Sequence, residues 1–263
     1  MVRIICFLAP ILVAIGIWFQ PTPEGLDPRG WHLLAIFVGT ILGLIFKPLP
    51  MGAVALIGMV LTVLTNTLKL ESEALGGFGS CVIWLVVTVF FLARGFIKTN
   101  LGNRIAYTFV HLLGKTTLGL GYGLVTTELL IAPFIPSSAA RSGGIIYPIL
   151  KSIAETLGSY PHDGSSRKLG AFLTQTAYHG NIITSAMFLT AMAANPMIQS
   201  FAQAQNIQIT WTNWALAAFV PGIVSIILAP LLIYIIYPPQ VKRINGATEL
   251  AQTKLKEMGP VSR

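Results

Sequence analysis

The 263 residues are 54% hydrophobic and only 10% charged, with a mean hydropathy of +0.74, whereas a soluble domain needs about a quarter of its residues charged to cover its surface. That excludes most soluble enzymes and leaves a chain whose apolar surface faces lipid. Seventeen basic against nine acidic residues give a net charge of +8, which here follows the loops beside a membrane; nucleic-acid binding would need a basic patch on a soluble fold.

A membrane helix needs about 20 apolar residues to cross a core of roughly 30 Å. Runs of that kind lie at 4–20, 31–46, 50–68, 81–97, 169–205 and 211–237, predicting six crossings. The first follows Arg3 as a secretory leader would, but no small-residue cleavage site comes after it, so a retained helix is expected. Cys6 and Cys81 lie in or beside apolar runs without paired or metal-ligand spacing and read as packing residues. Trp18, Trp31, Trp84, Trp211 and Trp214 fall near predicted span ends, where an amphipathic ring prefers the headgroup layer.

Basic loops stay cytoplasmic. With the amino terminus inside, Arg3, Lys47, Lys98, Arg104, Lys115, Lys151, Arg167, Lys168, Lys242, Arg243, Lys254, Lys256 and Arg263 all fall on that side. Arg29 and Lys69 fall outside, each with acidic neighbours: Glu24 and Asp27, and Glu71 and Glu73.

Residues 100–116 place Arg104, Thr108, His111 and Lys115 on one helical face and Leu101, Ile105, Phe109 and Leu112 toward another, which predicts an interfacial helix serving as a connector or a brace. The stretch 119–150 is flanked by Lys115 and Lys151 and must begin and end on one side. Its second arm, Ala139 to Leu150, has 12 residues, about 18 Å of helix, too short to cross. A re-entrant hairpin is expected, with its turn near Pro133 and Pro136, where amide donors are missing, and with Ser137 and Ser138 as N-caps opening the return arm. Non-helical backbone at membrane depth survives only when buried in protein or lining a wet cavity.

The run 169–205 carries Thr174, Gln175, Thr176, His179, Asn181, Thr184, Ser185, Thr190 and Asn195, a heavy polar load for a span. Asn195 precedes Pro196, a cap followed by proline at the first helical position, so a broken helix is expected with its interruption near Ala191 to Pro196. Two helix starts, at Ser137 and Ser138 and at Asn195, would then point inward and favour an anion in a wet cavity near the midplane. Glu128 is the only carboxylate deep in an apolar run and is a candidate proton or cation group; neutrality or pairing with a neighbouring helix is the alternative. Arg141, four residues past the tip, either adds positive potential to the anion site or snorkels to water. His179 has no second histidine at metal spacing and reads as a hydrogen-bonded core residue. The tail after Tyr237 opens with Pro238 and Pro239 and reads as a cytoplasmic linker.

The segments IAPFIPSSAARSGGIIYPI (131–149), SSRKLGAFL (165–173) and SAMFLTAMAANP (185–196) closely resemble the divalent anion sodium symporter family, nearest to the 2-oxoglutarate/malate translocator branch known from plastids and chlamydiae. The resemblance runs in order along nearly the whole chain. It implies an all-α secondary transporter built from two inverted repeats, each giving a re-entrant hairpin and an unwound helix to one dicarboxylate site, with elevator-like motion against a dimeric scaffold. In the family's Ser-Asn-Thr tip motif, which holds sodium and a substrate carboxylate, Ser137 keeps the serine, Ser138 replaces the asparagine and Ala139 replaces the threonine. Ala139 offers no hydroxyl, so sodium coupling survives less well than dicarboxylate exchange. Ser137, Ser138, Ala139, Arg141, Thr190 and Asn195 are therefore the expected substrate residues, and Ser137, Ser138 and Glu128 the candidate ion ligands; no catalytic residue, metal site or cofactor is expected beyond a weakly supported sodium. Family members are about twice this length, and the sequence stops at the linker where a second repeat would begin.

The leading expectation is thus the amino-terminal half of a 2-oxoglutarate/malate-type antiporter of the bacterial inner membrane, with both termini cytoplasmic, working as a homodimer or with a second half-transporter chain. Residues 1–237 form the membrane region and 238–263 the tail. The alternatives are an inactive fragment or a scaffold subunit. An intramembrane hydrolase using Ser137 and His179 ranks low, because no acid sits at a spacing that would orient the pair.

Overall fold

The computed structural model describes residues 2–244 and 246–260, and it forms two compact units, residues 1–83 and 84–263. Among the described residues there are helices and turns but no β-strand.

The first unit holds α1 (Val2–Trp18), α2 (Pro28–Phe46) and α3 (Met51–Leu64), followed by a π-helical turn at Leu70–Ala74 and a 3-10 turn at Gly76–Gly79. Asp27 starts α2 by accepting from the Arg29 amide at 3.0 Å, with Pro28 at the first helical position. Lys47 ends it in the left-handed conformation (φ 50°), ahead of Pro48 and Pro50. Apolar side chains face outward along all three helices, so small residues make the contacts between them. A methyl on Gly58 of α3 would lie 2.4 Å from Thr40 Oγ1 of α2, so glycine there allows the close approach.

The second unit begins within α4 (Cys81–Lys98) and continues through α5 (Leu101–Leu113), α6 (Thr117–Ile131), α7 (Ser138–Arg141), α8 (Tyr147–Thr156), α9 (Gly170–Met187), α10 (Ala194–Ala204), α11 (Trp211–Ile236) and α12 (Ala247–Glu257). Among the described residues, four helical stretches are long and apolar enough to cross a membrane: Pro28–Phe46, Cys81–Lys98, Thr117–Phe134 and Trp211–Ile236; Ile5–Trp18 and Met51–Leu64 are shorter apolar helices. Thr117–Phe134 is 56% buried inside the protein against 11–17% for the other three, so α6 is the central pillar. It packs against α5 and α9 around Val110, Leu120, Leu124, Ile131, Ile149, Ile153, Phe172 and Leu173.

The break expected in the run 169–205 is present, a few residues earlier than expected: α9 stops at Met187, residues 188–193 are non-helical, and α10 restarts at Ala194. Two other expectations change. The return arm does not end near Leu150. From Ser138 it continues through a π-helical turn at Ser142–Ile146 into α8 and reaches Thr156, with Lys151 and Glu155 paired at 3.8 Å on its exposed side. A scan for apolar runs stops at such charges although the helix does not.

The tail is the second change. Gln240 N donates to Arg167 O, Val241 N to Lys168 O and Ile244 N to Lys115 O, each at 3.0 Å, while Thr117 N donates to Lys242 O at 3.1 Å. The segment after α11 is therefore a strap tying the base of α6 to the residues before α9. Beyond it α12 packs on α5, burying Ala247 and Ala251 among a cluster that includes Ala106 and Val110. Arg104 Nη2 donates to Met258 O (3.1 Å) and Gly259 O (2.7 Å), satisfying carbonyls at the end of α12. On α5 the buried stripe is Gly102, Ala106 and Val110, between the two faces expected, and Leu112 stays exposed.

Candidate functional site

The tip of the hairpin forms where Pro133 reduces α6 to a 3-10 turn at Ala132–Phe134 and the backbone extends at Ile135. Ser137 then caps the return arm, its Oγ accepting from the Ala140 amide at 3.1 Å while its carbonyl accepts from Arg141 N at 3.0 Å. Ser138 N and Ala139 N, at the first helical positions, have no partner among the described residues, and neither does Ser138 Oγ. These groups are half-buried at Ser137 and Ser138 and exposed at Ala139.

Arg141 is fully buried, and so does not snorkel. Its Nε donates to Glu128 Oε1 at 2.7 Å, its Nη1 to Ile135 O at 2.5 Å and to Ala191 O at 2.6 Å, and its Nη2 to Ser185 Oγ at 2.7 Å. One guanidinium thus joins α6, the tip, the end of α9 and the break. Guanidinium suits this because its planar fork holds several donors in set directions. Glu128 is 2% exposed and pairs with it, the alternative noted for that carboxylate. Asn181 Nδ2 donates to the same Oε1 at 2.5 Å and to Ser138 O at 3.2 Å, which links the acid to the tip. Glu128 Oε2 has no hydrogen-bond partner among the described residues.

Asn195 does not cap α10. Ala193 holds the cap position, with no side-chain bond, and Asn195 is one residue inside the helix. Its Nδ2 turns back to Ser185 O (2.8 Å) and Phe188 O (2.9 Å), closing carbonyls left open where α9 stops. Asparagine carries both acceptor and donor, so the same residue serves either helix end. Asn195 N bonds Met192 O, and Pro196 has no amide, so this helix start offers an anion fewer donors than expected. Thr190 lies in the break and donates to Pro133 O at 2.7 Å while accepting from Trp211 Nε1 at 3.1 Å, which ties the break to the tip and to α11. A close approach of α6 and α9 supports the assembly: a methyl on Gly180 would come within 2.7 Å of Val125.

Of the residues singled out by sequence, Glu128, Ser138, Arg141, Thr190 and Asn195 therefore belong to one connected cluster, with Ser137 at its edge and Ala139 outside its bonds. Asn181 and Ser185, four residues apart on one face of α9, complete it; they belong to the polar load of the run 169–205 but were not among the expected site residues. His179 is exposed, bonded through Nδ1 to Gln175 O at 2.8 Å, and shares no hydrogen bond with Ser137 among the described residues. A cavity of about 1080 Å³ lies elsewhere, among α8, the start of α9 and the end of α11, lined by Lys151, His162, Gln175 and Tyr237 and by none of the cluster.

A family model described as the sodium:sulfate symporter transmembrane region matches residues 1–263. A putative malate transporter of Bacillus subtilis (strain 168) is 54% identical over 263 residues, covering 100% of this chain and 55% of that protein. Dicarboxylate transporter 1 of spinach chloroplasts (Spinacia oleracea) is 53% identical over 257 residues, covering 97% of this chain and 45% of its own length. An L-tartrate/succinate antiporter of Escherichia coli (strain UTI89 / UPEC) is 36% identical over 273 residues, covering 97% of this chain and 56% of its own. The chain spans about half the length of these relatives.

Proposed function

This chain belongs to the sodium:sulfate symporter transmembrane-region family, and we propose on that premise that it supplies the amino-terminal half of a dicarboxylate carrier that exchanges one diacid for another. The names of relatives from 36% to 54% identity, which include malate, dicarboxylate and tartrate/succinate carriers, support the substrate class. One observation carries the site: the hairpin tip and the helix break are pinned together by Arg141, next to Ser138 N, Ala139 N and Ser138 Oγ, which have no partner among the described residues. Those donors suit one carboxylate of a diacid, with Ser137 Oγ and Thr190 close to the same junction; the other carboxylate would fall to a second half-site from a further repeat or partner chain, as homodimer or split transporter. A re-entrant depth for the 119–150 hairpin keeps these groups near the bilayer midplane, where such sites collect.

Exchange is favoured over sodium coupling. Backbone carbonyls at a helix break are what a mobile cation would use, and here Ile135 O and Ala191 O already accept from a resident guanidinium. Ala139 adds no oxygen. The distribution of lysine and arginine supports cytoplasmic termini, and the relatives from Bacillus subtilis and Escherichia coli support a bacterial inner membrane.

Counterflow tests the proposal: vesicles carrying this chain and loaded with malate should take up labelled 2-oxoglutarate without a sodium gradient, and Ser137→Ala should weaken it. If the chain alone shows no flux, a rise in its melting midpoint with malate but not with acetate still supports the half-site. Indifference to both would leave the scaffold or fragment reading.

A further inference from the structure

We propose that the junction of residues 115–117, 167–168 and 240–244 is a binding site for the phosphate headgroup of an anionic phospholipid. The strap brings together three segments far apart in sequence, using the backbone bonds between Gln240 and Arg167, Val241 and Lys168, Ile244 and Lys115, and Thr117 and Lys242. Thr117 Oγ1 adds a bond to Val241 O, and Thr116 and Arg243 pair across the same antiparallel bridge. The backbone is thereby spent, while the side chains of Lys115, Arg167, Lys242 and Arg243 remain exposed. None of the four is within 4 Å of a carboxylate among the described residues. Lys168 is left out, because its Nζ donates to Gly158 O at 3.0 Å and it also feels the Asp163 carboxylate.

Exposed bases gathered within a few residues of one backbone junction raise the local positive potential, and a phosphodiester offers the acceptor oxygens that lysine and arginine bind. A lipid fits better than a free phosphate because the bases border apolar surface. α11, the 26-residue apolar helix, ends at Ile236, which is 79% exposed, and Lys242 and Arg243 follow just after the Pro238–Pro239 turn. Leu112 and Leu113, 61% and 40% exposed, lie before Gly114 and Lys115 on the other side. At the boundary the Arg167 guanidinium lies 4.4 Å over the Tyr237 ring, an amphipathic ring at a span end, where the headgroup layer begins. Acyl chains would cover the leucine and isoleucine surface while the headgroup lies at the basic junction.

The test uses the full chain in zwitterionic detergent and compares the melting midpoint with added phosphatidylglycerol or phosphatidylcholine, with native mass spectrometry counting retained lipid. Phosphatidylglycerol should raise the midpoint and stay bound; phosphatidylcholine should do neither. K115Q/K242Q/R243Q, whose side chains make no bond in the strap, should keep its midpoint in phosphatidylcholine and lose the phosphatidylglycerol response. Each base removed should weaken binding about fivefold, and the response should fade between about 0.05 and about 0.5 M salt. Equal retention of phosphatidylglycerol by the triple variant would overturn the proposal, as would equal retention of phosphatidylcholine by the wild type. Equal protection by glycerol phosphate at the same concentration would also overturn it, leaving a soluble-phosphate site. Should the triple variant not fold, the single variants K242Q and R243Q must each retain less phosphatidylglycerol by mass spectrometry; undiminished retention overturns the proposal.

Discussion

Arg141→Met is the sharpest test of how this protein holds itself together. The substitution keeps much of the side-chain volume but leaves the Glu128 carboxylate, 2% exposed, without its partner and strips a donor from Ile135 O, Ala191 O and Ser185 Oγ. Breaking one side of a buried ion pair costs about 3–5 kcal/mol, and at about 2–4 °C per kcal/mol for a domain of this size the melting midpoint should fall by roughly 6–20 °C. Glu128→Leu alone strands the guanidinium and should cost about as much. Combining the two removes both charges, so the double variant should be less damaged than the sum, with a coupling energy of at least about 2 kcal/mol. The assay is thermal unfolding in detergent by tryptophan fluorescence, because Trp211 bonds Thr190 Oγ1 and Trp214 donates to Ala186 O, reporting on the break and on the end of α9. An Arg141→Met protein within about 1 kcal/mol of the wild type, or additive single effects, would show that the cluster is not the fastening described above.

Asn195→Ala removes bonds to the carbonyls of Ser185 and Phe188, and should cost about 1–3 kcal/mol; Asn195→Asp, which turns a carboxylate toward those carbonyls, should be worse in the same unfolding assay. Arg104→Ala frees the end of α12, so amides 254–259 should exchange with deuterium faster while those of α6 are unchanged. The loop after α8 should respond to acid: Ser165 N and Oγ donate to Asp163 and hold its carboxyl below the usual range, so their contribution is complete above the ordinary aspartate pKa and is lost as pH falls from there through the lowered value. Limited proteolysis of 158–168 should therefore accelerate only in that acidic window, and Ser165→Ala should shift its onset to higher pH.

Asp27 before Pro28, Thr116 accepting from Gly119 N and Thr210 accepting from Asn213 N are caps set by local chemistry, although none of the three was expected from the sequence. The hairpin tip was legible, because prolines and a serine cap act within a few residues. The return arm's length was not, since Lys151 and Glu155 interrupt an apolar run without interrupting a helix. The role of Asn195 was only half legible: the Asn-Pro pair marks a helix start nearby, but which end the amide serves depends on where α9 stops in space. The docked tail escaped because α12 holds itself with Ala247 and Ala251, which bury little apolar area each and give almost no hydrophobic pattern. Glu128 and Arg141 each stood out as costly membrane charges, yet read separately they suggested a proton group and an anion site; pairing them explains most of the cost at once.

The spacing of Arg141's partners sets an order for biogenesis. Glu128 precedes it by 13 residues, but Ser185 and Ala191 follow it by 44 and 50. A newly made hairpin leaving the ribosome therefore carries an arginine with only one of its lasting side-chain partners yet synthesised, and an arginine at the centre of a membrane helix resists insertion by about 2.5–3.5 kcal/mol. The translocon has reason to hold α6 and its return arm back until α9 emerges, and then to release the three together.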